Sequence, residues 1–270
     1  MYTTFQNLST QALVHCIDDN LVEKSLSFPR FFGGEIQGPN PRWFMTGEAM
    51  PKNNGVVSAA FADGAIDANI DAIVEPFRAR TLPLTWWVGP RTTPARLGRH
   101  LQAHGFTHNR DMIGMAMDLD RLDLPGNGQP TLRFEQVQDK ATLLEWYTLL
   151  QETFALSHDT TYLDALAAIS LRPGADWLHY VGRLDGNVIT ISSLFLGGGV
   201  AGLYNLGTTA SARGQGIGTW MTSKTFDEAR NRGYHVGTLQ TTYPNALRMY
   251  HHMGFEVYCK IGIYNYHPKR

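Results

Sequence analysis

Two cysteines in 270 residues, Cys16 and Cys259, are too few and too widely separated for a disulfide framework or a thiolate metal centre. They read as buried or indifferent thiols in a reducing compartment. No apolar run approaches the ~18 residues that a bilayer-crossing helix needs. Residues 1–6 lack both a basic stretch and an apolar core, so no export signal is expected and the chain is expected to be cytoplasmic. Charge of one sign is missing too. Lys and Arg number 23 against 24 Asp and Glu, a net charge of −1, with no basic run. Neither nucleic acid nor a membrane surface is expected as a partner. What the chain does have is apolar material: 43% of its residues, which over this length suits two cores of ordinary size.

Read in order, residues 10–24 repeat apolar groups at helical spacing and residues 25–40 are loop-like, with Pro29, Gly33, Gly34, Gly38 and Pro39. Strands are expected at 42–46, 55–61 and 84–88. A helix is expected at 63–80, which Pro76 should kink or end. A second helix follows at 94–104 and a Met-rich strand at 106–119. Residues 121–130, with Pro125, Gly126, Gly128 and Pro130, read as a linker. Beyond it come a strand (131–137), a helix (141–154), a second helix capped by Asp159 and ending near Ser170, and a hairpin of 177–184 and 187–196 turning at Asp185-Gly186.

The most informative stretch follows the next strand, 200–208. Residues 206–219 read Leu-Gly-Thr-Thr-Ala-Ser-Ala-Arg-Gly-Gln-Gly-Ile-Gly-Thr, a strand end, a glycine-dense loop and a helix start. Glycines at 214, 216 and 218 strip side chains from the turn and leave bare N–H groups at the positive end of a helix dipole, suited to a phosphate or pyrophosphate. Arg213 adds a cation. No Lys precedes the hydroxyl of Thr219, which rules out a P-loop, and the alternating glycines do not make a dinucleotide fingerprint. A turn that merely uses glycine for positive φ is the plainer alternative.

After an expected strand at 236–242, Pro244 and Asn245 open a helix, Tyr250 sits in its last turns, and Gly254 ends it before a strand from Phe255 to about Tyr266. Together, Arg213, Gly216 and Gly218 with Asn245, Tyr250, Gly254 and Phe255 resemble the two signature segments of the GNAT superfamily of acyl-CoA-dependent N-acyltransferases. The resemblance covers residues 131–270. It implies an α/β fold built on a mixed, mostly antiparallel twisted sheet flanked by helices. It also implies acetyl-CoA as co-substrate, with no metal.

An internal echo extends the resemblance. Leu101-Gln102-Ala103-His104-Gly105-Phe106 ends a helix as Tyr250-His251-His252-Met253-Gly254-Phe255 does, about 149 residues apart. The first half lacks the Arg-x-x-Gly-x-Gly loop and carries Leu101 in the place of Tyr250. The expected division is a degenerate GNAT-like domain without a coenzyme site (1–120), the linker (121–130) and a catalytic domain (131–270).

The resemblance implies coenzyme contacts at Arg213, Gly214, Gln215, Gly216, Ile217, Gly218 and Thr219 for the pyrophosphate. Leu206 and Thr208 would contact pantetheine through their backbone. Asn245 would either contact the pantetheine arm or serve as a cap or turn residue after Pro244. Tyr250 is the implied general acid for the departing thiolate. Glu152, His158 and Asp159 border the expected acceptor side and are weak candidates for a base, with Tyr204 and Asn205 as alternatives for acceptor contact. His251 and His252 are adjacent on one helix, point apart and make a poor metal pair. The expected activity is transfer of an acetyl or other acyl group to an amine of a small molecule or peptide, by a monomer or homodimer. The competing reading is a non-catalytic coenzyme- or metabolite-sensing or protein-interaction module with the same fold.

Overall fold

The computed structural model describes residues 8–30, 33–123, 131–156, 160 and 162–268. In chain order its elements are α1 (Thr10–Ser27), β1 (Glu35–Gln37), β2 (Arg42–Met45), β3 (Asn54–Ser58), α2 (Ile66–Ala79), β4 (Leu84–Val88), α3 (Leu97–Ala103), β5 (Thr107–Asp118) and β6 (Arg133–Gln136). They continue with α4 (Lys140–Phe154), α5 (Leu163–Ser170), β7 (Trp177–Leu184), β8 (Asn187–Gly197), β9 (Val200–Thr208), α6 (Ile217–Asn231), β10 (Val236–Thr241), α7 (Pro244–His252) and β11 (Glu256–Tyr266).

The chain forms two compact units, divided at different places from those expected at 121–130. One comprises Met115–Val257. The other comprises Thr10–Gly114 together with the C-terminal segment from Tyr258. The correction has a simple cause: the last strand of the chain pairs inside the sheet of the first half. β11 runs antiparallel to β4, with Gly262 opposite Val88 and Tyr266 opposite Leu84. Residues 124–130 of the expected linker lie outside the described residues.

In the first-half unit the strands lie in the order β1-β2-β3-β4-β11-β5. β3 and β4 are parallel, as the crossover through α2 requires. α2 buries Ile66, Ile70, Ile73, Val74 and Phe77 against Leu84, Trp86, Leu97, Leu101, Phe106 and Tyr266. That face explains why the helix runs on past Pro76 to Ala79, close to the expected end at 80. A proline costs about 3 kcal/mol in a helix interior. Five buried apolar side chains at roughly 1.5–3 kcal/mol each outweigh it. α3 starts later than expected, because Thr93 is held extended by bonds between its N–H and the Ala59 carbonyl and between the Phe61 N–H and its own carbonyl.

In the other unit the order is β5-β10-β9-β8-β7-β6. β6 to β9 form an antiparallel run, and β9 and β10 are parallel around the α6 crossover. Both hairpin turns use paired left-handed residues, Asp185-Gly186 (φ 50° and 82°) and Gly198-Gly199 (φ 63° and 74°), the turn type that matches strand twist. The echo between the halves is exact in its bonding. The Phe106 N–H donates to the Leu101 carbonyl at 3.0 Å and the Phe255 N–H to the Tyr250 carbonyl at 3.0 Å, each across a left-handed glycine, Gly105 and Gly254. Among the described residues no helix is long and apolar enough to cross a membrane.

Candidate active site

The site is built where β9 parts from β10. Their parallel pairing runs Ala201–Gly237, Gly202–Thr238, Leu203–Leu239 and stops. β9 nevertheless stays bonded to β8 as far as Thr209, whose N–H donates to the Ile189 carbonyl at 2.9 Å. Beyond Tyr204, its other edge therefore has no strand partner among the described residues. A bulge marks the parting. The β8–β9 register passes from Ser193↔Tyr204 to Ile191↔Gly207, so β9 holds one extra residue. Asn205 lies there at φ 54°, a left-handed conformation that Asn tolerates better than most residues.

The free edge leads directly into the loop before α6. Gly214 and Gly216 both sit at positive φ, 75° and 77°, and a Cβ added to either would meet nothing within 4 Å. Gly216 is the N-cap of α6 and supplies no side chain to it. The N–H groups of Gly214, Gly216, Ile217, Gly218 and Thr219 take no backbone acceptor among the described residues, while the first intrahelical bond is from the Trp220 N–H to the Gly216 carbonyl. Open space above unpartnered N–H groups fits a pyrophosphate. Arg213 is pinned at the rim, its Nε donating to the Thr208 carbonyl at 3.0 Å. Gln215 turns back, its Nε2 donating to the Ser211 carbonyl at 2.9 Å. Since Arg213 already engages the Thr208 carbonyl, Leu206 is the better placed of the two expected pantetheine contacts.

α7 stands beside this loop. A Cβ on Gly218 would lie 3.5 Å from Met249 Sδ and 4.0 Å from Thr208 Oγ1. Tyr250, next along the helix, is 6% exposed and packs edge-on against Phe255 at 5.8 Å, which in turn meets Phe226 of α6 at 5.2 Å. Its hydroxyl makes no hydrogen bond among the described residues. Burial pushes its pKa up from the ordinary phenol value, so the group is protonated throughout the neutral range. Asn245 is exposed, its Oδ1 accepting from Arg248, and the helix cap is Tyr243. The capping alternative for Asn245 is thereby excluded.

The opposite wall comes from α4. Trp146 Nε1 donates to the Ser192 carbonyl at 3.0 Å and fixes the helix over the sheet. One residue before its end, Thr153 fills the space left by Gly207, where a Cβ would lie 2.7 Å from the Thr153 hydroxyl. Glu152 is exposed. His158 and Asp159 lie outside the described residues, and the cap of α5 is Tyr162, not Asp159 as expected. Tyr204 packs its ring 5.7 Å from Trp177 and bonds to Gln240; burial raises its pKa as well. It is therefore a neutral hydrogen-bonding group and no base.

Sequence reading missed Thr153, Trp146 and the His179–Ser193 pair beneath the bulge. Alternation along β7 carried a signal, since it puts His179 on the face of Trp177 and Val181.

The corresponding place in the first half is filled. Past the β3–β4 pairing, Ala60 forms a bridge with Thr93, and Asn40 bonds both the N–H and the carbonyl of Ala60 at 2.8 Å. The first turn of α2 carries Asp67. A free strand edge and an anion-attracting helix start are both lacking there.

Residues 143–255 match the sequence model of the acetyltransferase (GNAT) family. No curated protein matches the chain. Among solved structures, a GCN5-related N-acetyltransferase from Kribbella flavida superposes with a TM-score of 0.73 at 16% identity, covering 92% of this chain and 96% of that one. A functionally unknown conserved protein from Staphylococcus epidermidis gives 0.65 at 11% identity, over 87% and 95% of the two chains. A tandem GNAT protein from the clavulanic acid biosynthesis pathway gives 0.63 at 15% identity, over 88% and 79%. At such identities these likenesses speak for the fold, over nearly the whole chain. The free β9 edge, the uncapped α6 start and Tyr250 all fall inside the segment, residues 143–255, that matches the GNAT acetyltransferase model.

Proposed function

We propose that the chain is an acyl-CoA-dependent N-acyltransferase, most simply an acetyltransferase, acting on a primary amine. The observation that carries this reading is the unpaired edge of β9 running into the uncapped start of α6. It offers one continuous track for an extended pantetheine followed by a pyrophosphate. Bound acyl-CoA supplies an activated thioester carbon, which the amine attacks with loss of a thiolate. The loop from Gly214 to Thr219 holds the pyrophosphate, and Arg213 adds charge at the rim. A backbone N–H at the β9 bulge donates to the carbonyl oxygen as it gains charge, where one such donor is worth about 3 kcal/mol of barrier. Tyr250 gives its proton to the departing sulfur, and the proton that the amine loses passes through water and restores the phenol, so no net proton is gained or lost. The acceptor lies on the side of Tyr204 and the end of α4.

Gly218 gives the cleanest test of the loop. Gly216 is a poorer choice, since its φ of 77° would strain any side chain there whatever binds. Gly218 has ordinary backbone and open contacts. Gly218→Val should leave the fold intact and weaken CoA binding at least tenfold by calorimetry. Unchanged affinity would remove the loop from the binding site.

The filled edge at Ala60 leads to a second expectation, a single coenzyme per chain. Calorimetric titration should give a stoichiometry of one. A value of two would show that the first half also binds.

A further inference from the structure

Beneath the bulge a buried polar chain crosses three strands. Asn205 Nδ2 on β9 donates to Ser193 Oγ on β8 at 3.1 Å, and Ser193 Oγ lies 2.8 Å from His179 Nδ1 on β7. The residues are direct cross-strand neighbours, since Ser193 faces Tyr204 on one side and His179 on the other. His179 is 2% exposed and Ser193 fully buried. The imidazole stacks on Trp146 at 4.1 Å, with Trp177 at 5.9 Å. Its Nε2 is buried without a hydrogen-bond partner among the described residues, whichever tautomer is present.

For packing alone this arrangement is a poor choice. A phenyl ring would stack on Trp146 as well and leave no unpaired nitrogen, and an apolar group at 193 would cost nothing in desolvation. The histidine and serine do provide one thing that apolar groups could not, a directed anchor for the Asn205 carboxamide. Asn205 is the left-handed residue of the bulge, a conformation that costs an L-residue roughly 1–2 kcal/mol. Its peptide groups form the free edge of β9. A side-chain bond that fixes Asn205 also fixes the direction of those N–H groups.

We propose that His179 is a positioning residue of the acyl-transfer site, holding the β9 bulge in register through Ser193 and Asn205. The catalytic consequence rests on the acyl-transfer reading above, whereas the structural one does not.

The test uses the full chain and three variants, Ser193→Ala, His179→Phe and the double variant, with amide hydrogen exchange and steady-state kinetics as readouts. Exchange at Gly207 and Thr209, which pair with β8 beside the bulge, should quicken at least tenfold in each single variant, while amides along β7 stay as in the wild type. The kcat should fall about tenfold in each, with KM for acyl-CoA unchanged. Residues that act in series are non-additive, so the double variant should lose no more than the worse single one. His179→Asn restores a polar atom near the Nδ1 position and should recover most of the loss. It also serves if His179→Phe proves unfolded by near-UV circular dichroism. Wild-type exchange at the bulge in the histidine variants, or losses that simply multiply, would overturn the proposal. If the wild-type chain turns over no acyl-CoA with any amine, the acyl-transfer reading fails instead, and bulge exchange alone decides the positioning role.

Discussion

Tyr250→Phe should lower kcat about 100-fold while leaving KM and Kd for the coenzyme nearly unchanged. The ring is structural: it is buried, packs edge-on against Phe255 and reaches Phe226 through it. Phenylalanine keeps all of this. The hydroxyl has no hydrogen-bond partner among the described residues, so its removal breaks no bond that the fold relies on. Burial raises the phenol pKa above its usual value of about 10, so no alkaline loss of activity below about pH 10 should come from this group. The phenol is protonated at neutral pH, and the proton it gives up is replaced by the one the amine releases. Steady-state kinetics with calorimetry on both proteins decides the matter. Wild-type turnover in the phenylalanine variant would make Tyr250 a packing residue. Equal coenzyme affinity with no turnover in either protein would instead favour a sensing module.

The loop and the two glycine–phenylalanine helix ends were legible because their chemistry is local. Gly216 must occupy positive φ wherever the chain goes next, and so must Gly105 and Gly254. The strands from 177 to 208 were legible for the same reason, since Asp185-Gly186 and Gly198-Gly199 set their own turns. What escaped were features decided at long range. Nothing in the run 256–266 says that it pairs with residues 84–88 and not with its own half, and the exchange moved the unit boundaries away from the proline-rich linker. Asn205 resembles any polar residue in a strand. Its left-handed φ becomes visible only when β8 shows one residue too few opposite it. At Pro76 local propensity left open whether the helix would be kinked or ended, because the apolar face that carries it on is decided by packing. His179 offered only its place in an alternation, and the stack on Trp146 joins residues of two elements that sequence spacing does not relate.

Acid should destabilise the unit that carries the site well before its carboxylates titrate, and His179 should be the cause. Burial alone pushes its pKa down to about 3, with no charged neighbour to offset the effect. The groups in contact with it, Trp146, Trp177 and Ser193, do not titrate in this range. In the unfolded chain the same imidazole has a pKa of about 6.5. Above that pH neither state holds the proton, and the full stability is present. As pH falls below it, the unfolded chain gains a proton that the folded unit refuses until about pH 3. Stability should therefore fall by up to about 1.4 kcal/mol per pH unit across that window, a few kcal/mol in all. His179→Phe keeps a ring on Trp146 and removes the titration. Urea unfolding of both proteins at a series of pH values from 7.5 downward isolates the one group, since every other titration is common to the pair. The stability difference should be flat above about pH 6.5 and should shift progressively in favour of the variant below it. Parallel curves down to pH 4 would show that the imidazole is either solvated or already charged in the folded protein.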